Sequence, residues 1–194
     1  KTVLELGGSD PYLVLKDADL EKASDACLKG RLLNAGQSCI AAKRFIIEDA
    51  IKPNFEKIIV DKIKNQVIGD PFDEKTTIGP MVSIDARNEL IRQVEVSVDA
   101  GAKVLYKSLT PLIKNSAYQP VMVLTDVLPG MPAFDEELFG PVASIISAKD
   151  KDQAIALANQ SSFGLGAAVF TSDIEEGRRI AEFELEAGAG FVND

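Results

Sequence analysis

Histidine does not occur in this 194-residue chain. Any acid-base or metal chemistry must then come from carboxylates, thiols, amines or phenols, and triads that use histidine as base are excluded within the chain. Cysteine occurs only twice, too few for a disulfide scaffold, and the N-terminus lacks the basic-then-apolar pattern of a secretory signal, so a reducing cytoplasm is expected. Basic residues are in deficit, 21 against 30 acidic ones for a net charge of -9. Because nonspecific nucleic-acid affinity comes from Lys and Arg displacing counterions, nucleic acid is not an expected partner. No run approaches the roughly 20 uninterrupted apolar residues of a membrane span, so no membrane partner is expected either. Phosphate cradles are missing too. There is no G-x-x-x-x-G-K-S/T, and Gly188-Ala189-Gly190 lacks both a third glycine and a following helix. The chain starts at Lys1 without an initiator Met and stops at Asp194 just after an apolar run, so both ends read as excised from a longer polypeptide.

What is present is ordinary for a folded domain, 46% apolar and 26% charged, at a length that buries on the order of 70% of the unfolded surface. A helix is expected from Asp17 or Asp19, with Leu20, Ala23 and Cys27 on one face, running into Gly30 to Asn34 and stopping by Gly36. A second covers Lys52 to Val67 with Phe55, Ile58, Ile59 and Ile63 inward, ended by Gly69-Asp70-Pro71. A third is capped by Ser83, carries Ile84, Leu90, Ile91, Val94 and Val98 as its stripe, and has Gly101 past its end. Shorter ones lie at Asp152 to Asn159 and Asp173 to Glu184. Apolar runs suited to buried strands fall at Tyr12 to Leu15, Phe45 to Ile47, Lys103 to Tyr106, Val121 to Leu124, Val142 to Ile146, Ala167 to Phe170 and Gly190 to Val192. The alternation predicts an α/β fold, a largely parallel sheet with helices on both faces. Lys107 to Pro120, with two prolines and little periodicity, reads as irregular.

Three segments could carry chemistry. Cys27 sits on an apolar helix face and reads as core, whereas Cys39 follows the polar turn Asn34-Ala35-Gly36-Gln37-Ser38, where a nucleophile can be displayed with backbone N-H groups converging near it. Glu5-Leu6-Gly7-Gly8 places a carboxylate before two glycines that let the backbone turn sharply, which can aim it into a cleft or leave it an exposed turn residue. Glu136-Glu137-Leu138-Phe139-Gly140-Pro141 offers a carboxylate for sugar hydroxyls and an aromatic for a flat ring, or a solvated acidic turn. Gly164-Leu165-Gly166 reads as a tight turn, and Lys43 and Arg44, near Cys39, as structural or surface residues.

In that order, E-L-G-G, G-Q-x-C and E-E-x-F-G-P resemble the aldehyde dehydrogenase superfamily. Here 34 residues separate Glu5 from Cys39 and 98 separate Cys39 from Glu137. Ile78-Gly79-Pro80-Met81 and the stretch from Ala158 to Phe170 are similar to the same family, and the segment from Gly30 to Phe45 looks most like its succinate-semialdehyde dehydrogenases. The resemblance spans the chain and implies residues 1–194 as the thiol-bearing catalytic domain. An upstream dinucleotide-binding domain and a C-terminal oligomerisation segment, through which the full-length protein would form a homo-oligomer, would lie outside it. It implies Cys39 as nucleophile, Glu5 as general base, Glu137 on the nicotinamide-side ribose of NAD or NADP, Phe139 beside the nicotinamide, and Leu6 and Gly7 near the ring.

That assignment suits the residue types. An aldehyde has no leaving group but hydride, so a thiolate must add first, and the thioester that follows needs a base to activate water. The resemblance implies no metal, a small aldehyde as substrate, and no turnover by this chain alone, because half the oxyanion site and the cofactor-phosphate site would be elsewhere. The residues that bind a substrate carboxylate in that family would also lie outside. Two other readings stay open at this point: a cysteine-dependent acyl transferase or hydrolase, and a catalytically silent α/β assembly module.

Overall fold

The computed structural model describes residues 1–4, 6–111 and 116–194. In chain order the elements are β1 (Asp10–Val14), α1 (Leu20–Leu32), a 3-10 turn (Leu33–Gly36), β2 (Ala42–Glu48), α2 (Lys52–Ile63), α3 (Ile84–Asp99), β3 (Lys103–Lys107) and β4 (Met122–Thr125). There follow α4 (Pro132–Asp135), β5 (Val142–Ala148), α5 (Lys151–Asn159), β6 (Gly166–Phe170), α6 (Ile174–Phe183) and β7 (Ala189–Val192). The described strands form one sheet in the order β3-β4-β5-β2-β1-β6-β7. Every neighbouring pair is parallel except the edge pair β3–β4.

Alternation along the central strands explains why both faces are covered. Leu13 of β1 and Ile46 of β2 belong to one buried layer with Leu90 and Val94 of α3, Ile155 of α5 and Ile180 of α6. Their neighbours Val14, Phe45 and Ile47 belong to the other, with Ala23 and Cys27 of α1 and Phe55 and Ile59 of α2. Side chains two apart share a sheet face, so uninterrupted apolar strands require helices on both sides. The helices start where short polar side chains take up their first free amides: Asp19 accepts from the N–H groups of Glu21 and Lys22, Ser83 from Ala86, Asp150 from Gln153 and Asp173 from Glu176.

Two expectations shift, and the first helix ends within its expected range. The helix expected to reach Val67 ends at Ile63, because Val67 and Ile68 are taken by a short parallel bridge, in which the Val67 carbonyl accepts from the N–H groups of Thr77 and Ile78. Tertiary pairing there outweighs helical propensity. The first helix stops at Leu32, and Asn34, Ala35 and Gly36 all turn left-handed, at φ 52°, 54° and 74°. The strand expected at Phe45 to Ile47 begins earlier, at Ala42, and so draws Lys43 and Arg44 into the sheet. Of the irregular stretch Lys107 to Pro120, residues 112–115 lie outside the described residues. No described helix is long and apolar enough to cross a membrane.

Candidate active site

Topology explains how three motifs far apart in sequence meet. Gly7-Gly8 leads into β1, Cys39 into β2 and Glu137 into β5, and β5, β2 and β1 are consecutive parallel neighbours at the centre of the sheet. Parallel strands start at the same edge, so segments preceding all three converge there. This is the amino edge of the sheet, whereas open α/β sheets more often bind ligands at the carboxyl edge. In this chain the carboxyl-edge crevice is lined by Asp17, Glu48, Asp150, Asp152, Asp173 and Glu176 against Lys16 and Lys151. That charge balance is unsuited to phosphate.

At the amino edge Glu137 is held from two sides. Its Oε1 accepts from the Gly8 backbone N–H at 3.1 Å and forms an ion pair with Lys43 Nζ at 3.1 Å. Its Oε2 faces Gly7: a Cβ there would lie 2.9 Å from that oxygen and 3.2 Å from the Phe163 ring, and the Gly7 φ of +83° also favours glycine. At Gly8 a Cβ would overlap the Cys39 carbonyl. The two glycines are therefore what allows the segment before β1 to lie directly against both the Cys39 loop and Glu137. A carboxylate with one oxygen fixed and the other beside a bare glycine fits the hydroxyls of a ribose. The residues present thus suit a nicotinamide dinucleotide. Glu136, one residue earlier, accepts instead from Gln93 Nε2 at 2.9 Å and from Arg92 at 3.2 Å.

The Cys39 loop is fixed from beneath. Arg31, fully buried, donates from Nη2 to the carbonyls of Gly36 at 2.6 Å and Leu138 at 3.2 Å, clamping the left-handed turn before Cys39 to the loop that carries Glu137. Burial lowers its guanidinium to about 9, with Glu137 acting against that, so it stays charged at neutral pH. Gln37 accepts from the Val82 N–H at 2.8 Å through Oε1, which ties the Gly79-Pro80-Met81 stretch to the same loop. Arg44 caps carbonyls rather than carboxylates, donating to Ser9, Leu157 and Ala158, with Phe134 beneath its guanidinium at 5.3 Å.

Cys39 is partly exposed, and Cys27 is fully buried in the layer of α1 and α2. Burial pushes the Cys27 thiol far up, consistent with its reading as core. Phe139 is half-buried on the Glu137 loop, and Leu6 is 81% exposed. Glu5 lies outside the described residues. Lys43 and Arg44 are each 1% exposed, so neither is a surface residue. Lys43 is the site residue that sequence reasoning passed over. The available signal was two adjacent basic residues at the head of an otherwise apolar strand, where they can be buried only with polar partners.

The sequence matches the aldehyde dehydrogenase family over residues 1–194, and the chain belongs to that family. Among curated relatives, the NAD(P)+ succinate semialdehyde dehydrogenase Sad of Escherichia coli (strain K12) is 48% identical over 193 residues, covering 100% of this chain and 41% of its own. The NADP+ succinate-semialdehyde dehydrogenase of Deinococcus radiodurans is 45% identical, covering 100% and 40%. Among solved structures, betaine aldehyde dehydrogenase from Staphylococcus aureus in complex with NAD+ superposes with a TM-score of 0.92 at 34% identity, covering 98% of this chain and 38% of that one. The chain thus spans about two fifths of the length of these relatives.

Proposed function

We propose that this chain is the thiol-bearing catalytic domain of a longer NAD(P)-dependent aldehyde dehydrogenase that oxidises succinate semialdehyde to the acid. What carries the reading is the meeting of the Gly7-Gly8 turn, the Cys39 loop and Glu137 at one edge of the sheet. In this proposal the dinucleotide-binding and oligomerisation segments belong to the rest of the polypeptide, which forms a homo-oligomer in the cytoplasm. The names of the relatives support the substrate.

In the proposed reaction the Cys39 thiolate adds to the aldehyde carbon, and the former carbonyl oxygen takes the negative charge. Collapse of that adduct expels a hydride, for which the nicotinamide, when bound, supplies the acceptor. A thioester is left on Cys39. Glu5 then takes a proton from water as the water oxygen adds to the thioester carbon, and Cys39 departs as thiolate. Glu137 and Phe139 would hold the ribose and the ring of the cofactor, and Leu6 and Gly7 would lie near the ring. No step of the proposed reaction calls for a metal.

A cavity of about 340 Å³ opens beside Ile40, the residue after Cys39, and its walls include Leu165 and Phe191 together with Asp10 and Asp194. Among the described residues, no lysine or arginine lines it. A substrate carboxylate seated there would need a counter-charge from outside this lining. The test compares the full-length enzyme with the 194-residue chain, each assayed with NAD and NADP on succinate semialdehyde and on butanal. The full-length enzyme should turn over and favour the charged substrate, and the short chain should be inactive. Robust turnover by the short chain would refute the domain assignment.

A further inference from the structure

We propose that Lys43 is a positioning residue of this site: its buried ammonium fastens the Cys39 loop to Glu137, and its charge favours Cys39 as the thiolate. The inference rests on the reading of Cys39 and Glu137 given above. Lys43 Nζ donates to the carbonyls of Ser38 at 2.8 Å, Cys39 at 3.1 Å and Ala41 at 3.4 Å, and pairs with Glu137 Oε1 at 3.1 Å. An ammonium has three donors, so these four acceptors use it completely.

Two consequences follow from that geometry. In a trans peptide the N–H points opposite to the C=O. With the Ser38 and Cys39 carbonyls turned to Lys43, the amides of Cys39 and Ile40 are turned away from it, and donors so fixed are what an oxyanion would require. The second consequence is electrostatic. A unit positive charge sits against the backbone of the nucleophile itself, and nearby cations raise the thiolate fraction of a cysteine. The charged groups around Lys43 are Glu137 from the loop before β5, Arg31 from α1 and Asp10 from β1. Burial, reinforced by Arg31, lowers the Lys43 ammonium, while Glu137 and Asp10 hold it up. A neutral side chain would avoid that burial cost, so tying carbonyls together is not in itself a reason for lysine.

The test uses the full-length enzyme with Lys43→Gln and Lys43→Met. Glutamine keeps two N–H donors for the carbonyls without the charge, and methionine keeps neither. The pH dependence of iodoacetamide alkylation of Cys39 is followed by peptide mapping, beside steady-state turnover with succinate semialdehyde. Both variants should raise the midpoint of alkylation by about one to two units, the usual size of the effect of a neighbouring unit charge. Glutamine should recover part of the kcat that methionine loses. A midpoint that stays at the wild-type value in Lys43→Gln overturns the proposal, whether or not kcat falls. Alkylation needs no turnover, so it decides on Lys43 separately: wild-type enzyme inactive with both cofactors would overturn the functional reading instead.

Discussion

Replacing Gly8 with alanine in the full-length enzyme should damage the site through a single methyl group. On the present backbone that methyl would overlap the Cys39 carbonyl oxygen, lie 3.1 Å from its carbon and touch Leu165 at 3.4 Å. Relaxed carbon contacts fall at about 3.5 to 4.0 Å, so the Cys39 carbonyl or the Gly8 segment has to withdraw. Neither is free to do so. The carbonyl is held at 3.1 Å by Lys43, and the Gly8 N–H is held at 3.1 Å by Glu137. Overpacking of this kind costs about 1 to 3 kcal/mol, which for a domain of this size lowers Tm by roughly 2 to 4 °C per kcal/mol. A shift of about 1 Å in a reacting group costs about 10²-fold in rate, so kcat/KM should fall about a hundredfold. Gly7→Ala should act differently, because its methyl would strike Glu137 Oε2 and Phe163 instead, and the larger effect should be on the KM for the cofactor. Scanning calorimetry and initial-rate kinetics measure both. If Gly8→Ala keeps Tm and kcat/KM at wild-type values, the close approach of the β1 entry to the Cys39 loop is not what builds the site.

Iodoacetamide should modify Cys39 under native conditions and leave Cys27, which is 0% exposed, unlabelled until the protein unfolds; peptide mapping of the labelled protein checks this. Asp10 is buried, and desolvation raises its carboxyl above the usual range in spite of the Gly166 N–H and of Lys43 and Arg44. A carboxyl raised in the folded state binds its proton more tightly there than in the unfolded chain, so its contribution to stability falls as pH rises from the unfolded value through the folded one. Asp10→Asn should therefore raise Tm at pH 7, and the gain should shrink as the pH is lowered into the carboxyl range. A constant difference across that range would contradict the desolvation account.

The sheet and its helices were legible because they follow local rules. Leu13, Ile46 and Val169 sit in uninterrupted apolar runs, and Asp19 and Ser83 each cap the helix that begins after them. The departures all come from contacts outside the helical and strand repeats. Val67 left the second helix for a bridge segment that pairs with residues about ten positions on. The strand at Phe45 grew backwards because Lys43 and Arg44 could be buried, and they could be buried because carbonyls of Ser38, Cys39, Ser9, Leu157 and Ala158 were there to receive them. Periodicity carries no information about such partners. The same holds at the site: the three motifs were visible as motifs, but that Glu137 is held by the Gly8 N–H and Lys43 depends on the order β5-β2-β1. The left-handed turn at Asn34 and Ala35 was invisible for a related reason, since Ala35 has no preference for that region and is kept there by the Arg31 clamp.

One measurement addresses both Cys39 as the residue proposed to carry the acyl group and Glu5 as the base proposed to remove it. The full-length Glu5→Gln enzyme, mixed rapidly with succinate semialdehyde and the oxidised cofactor and quenched in acid, is digested and its peptides are weighed. Glutamine cannot take a proton from water at neutral pH, and general-base catalysis is worth roughly 10² to 10⁴ in rate. The predicted result is a burst of reduced cofactor close to one per active site, a slow steady state, and a succinyl group on the peptide containing Cys39. A normal steady-state rate with no acylated peptide would remove Glu5 as the base, and an acyl group on any residue other than Cys39 would contradict the central claim.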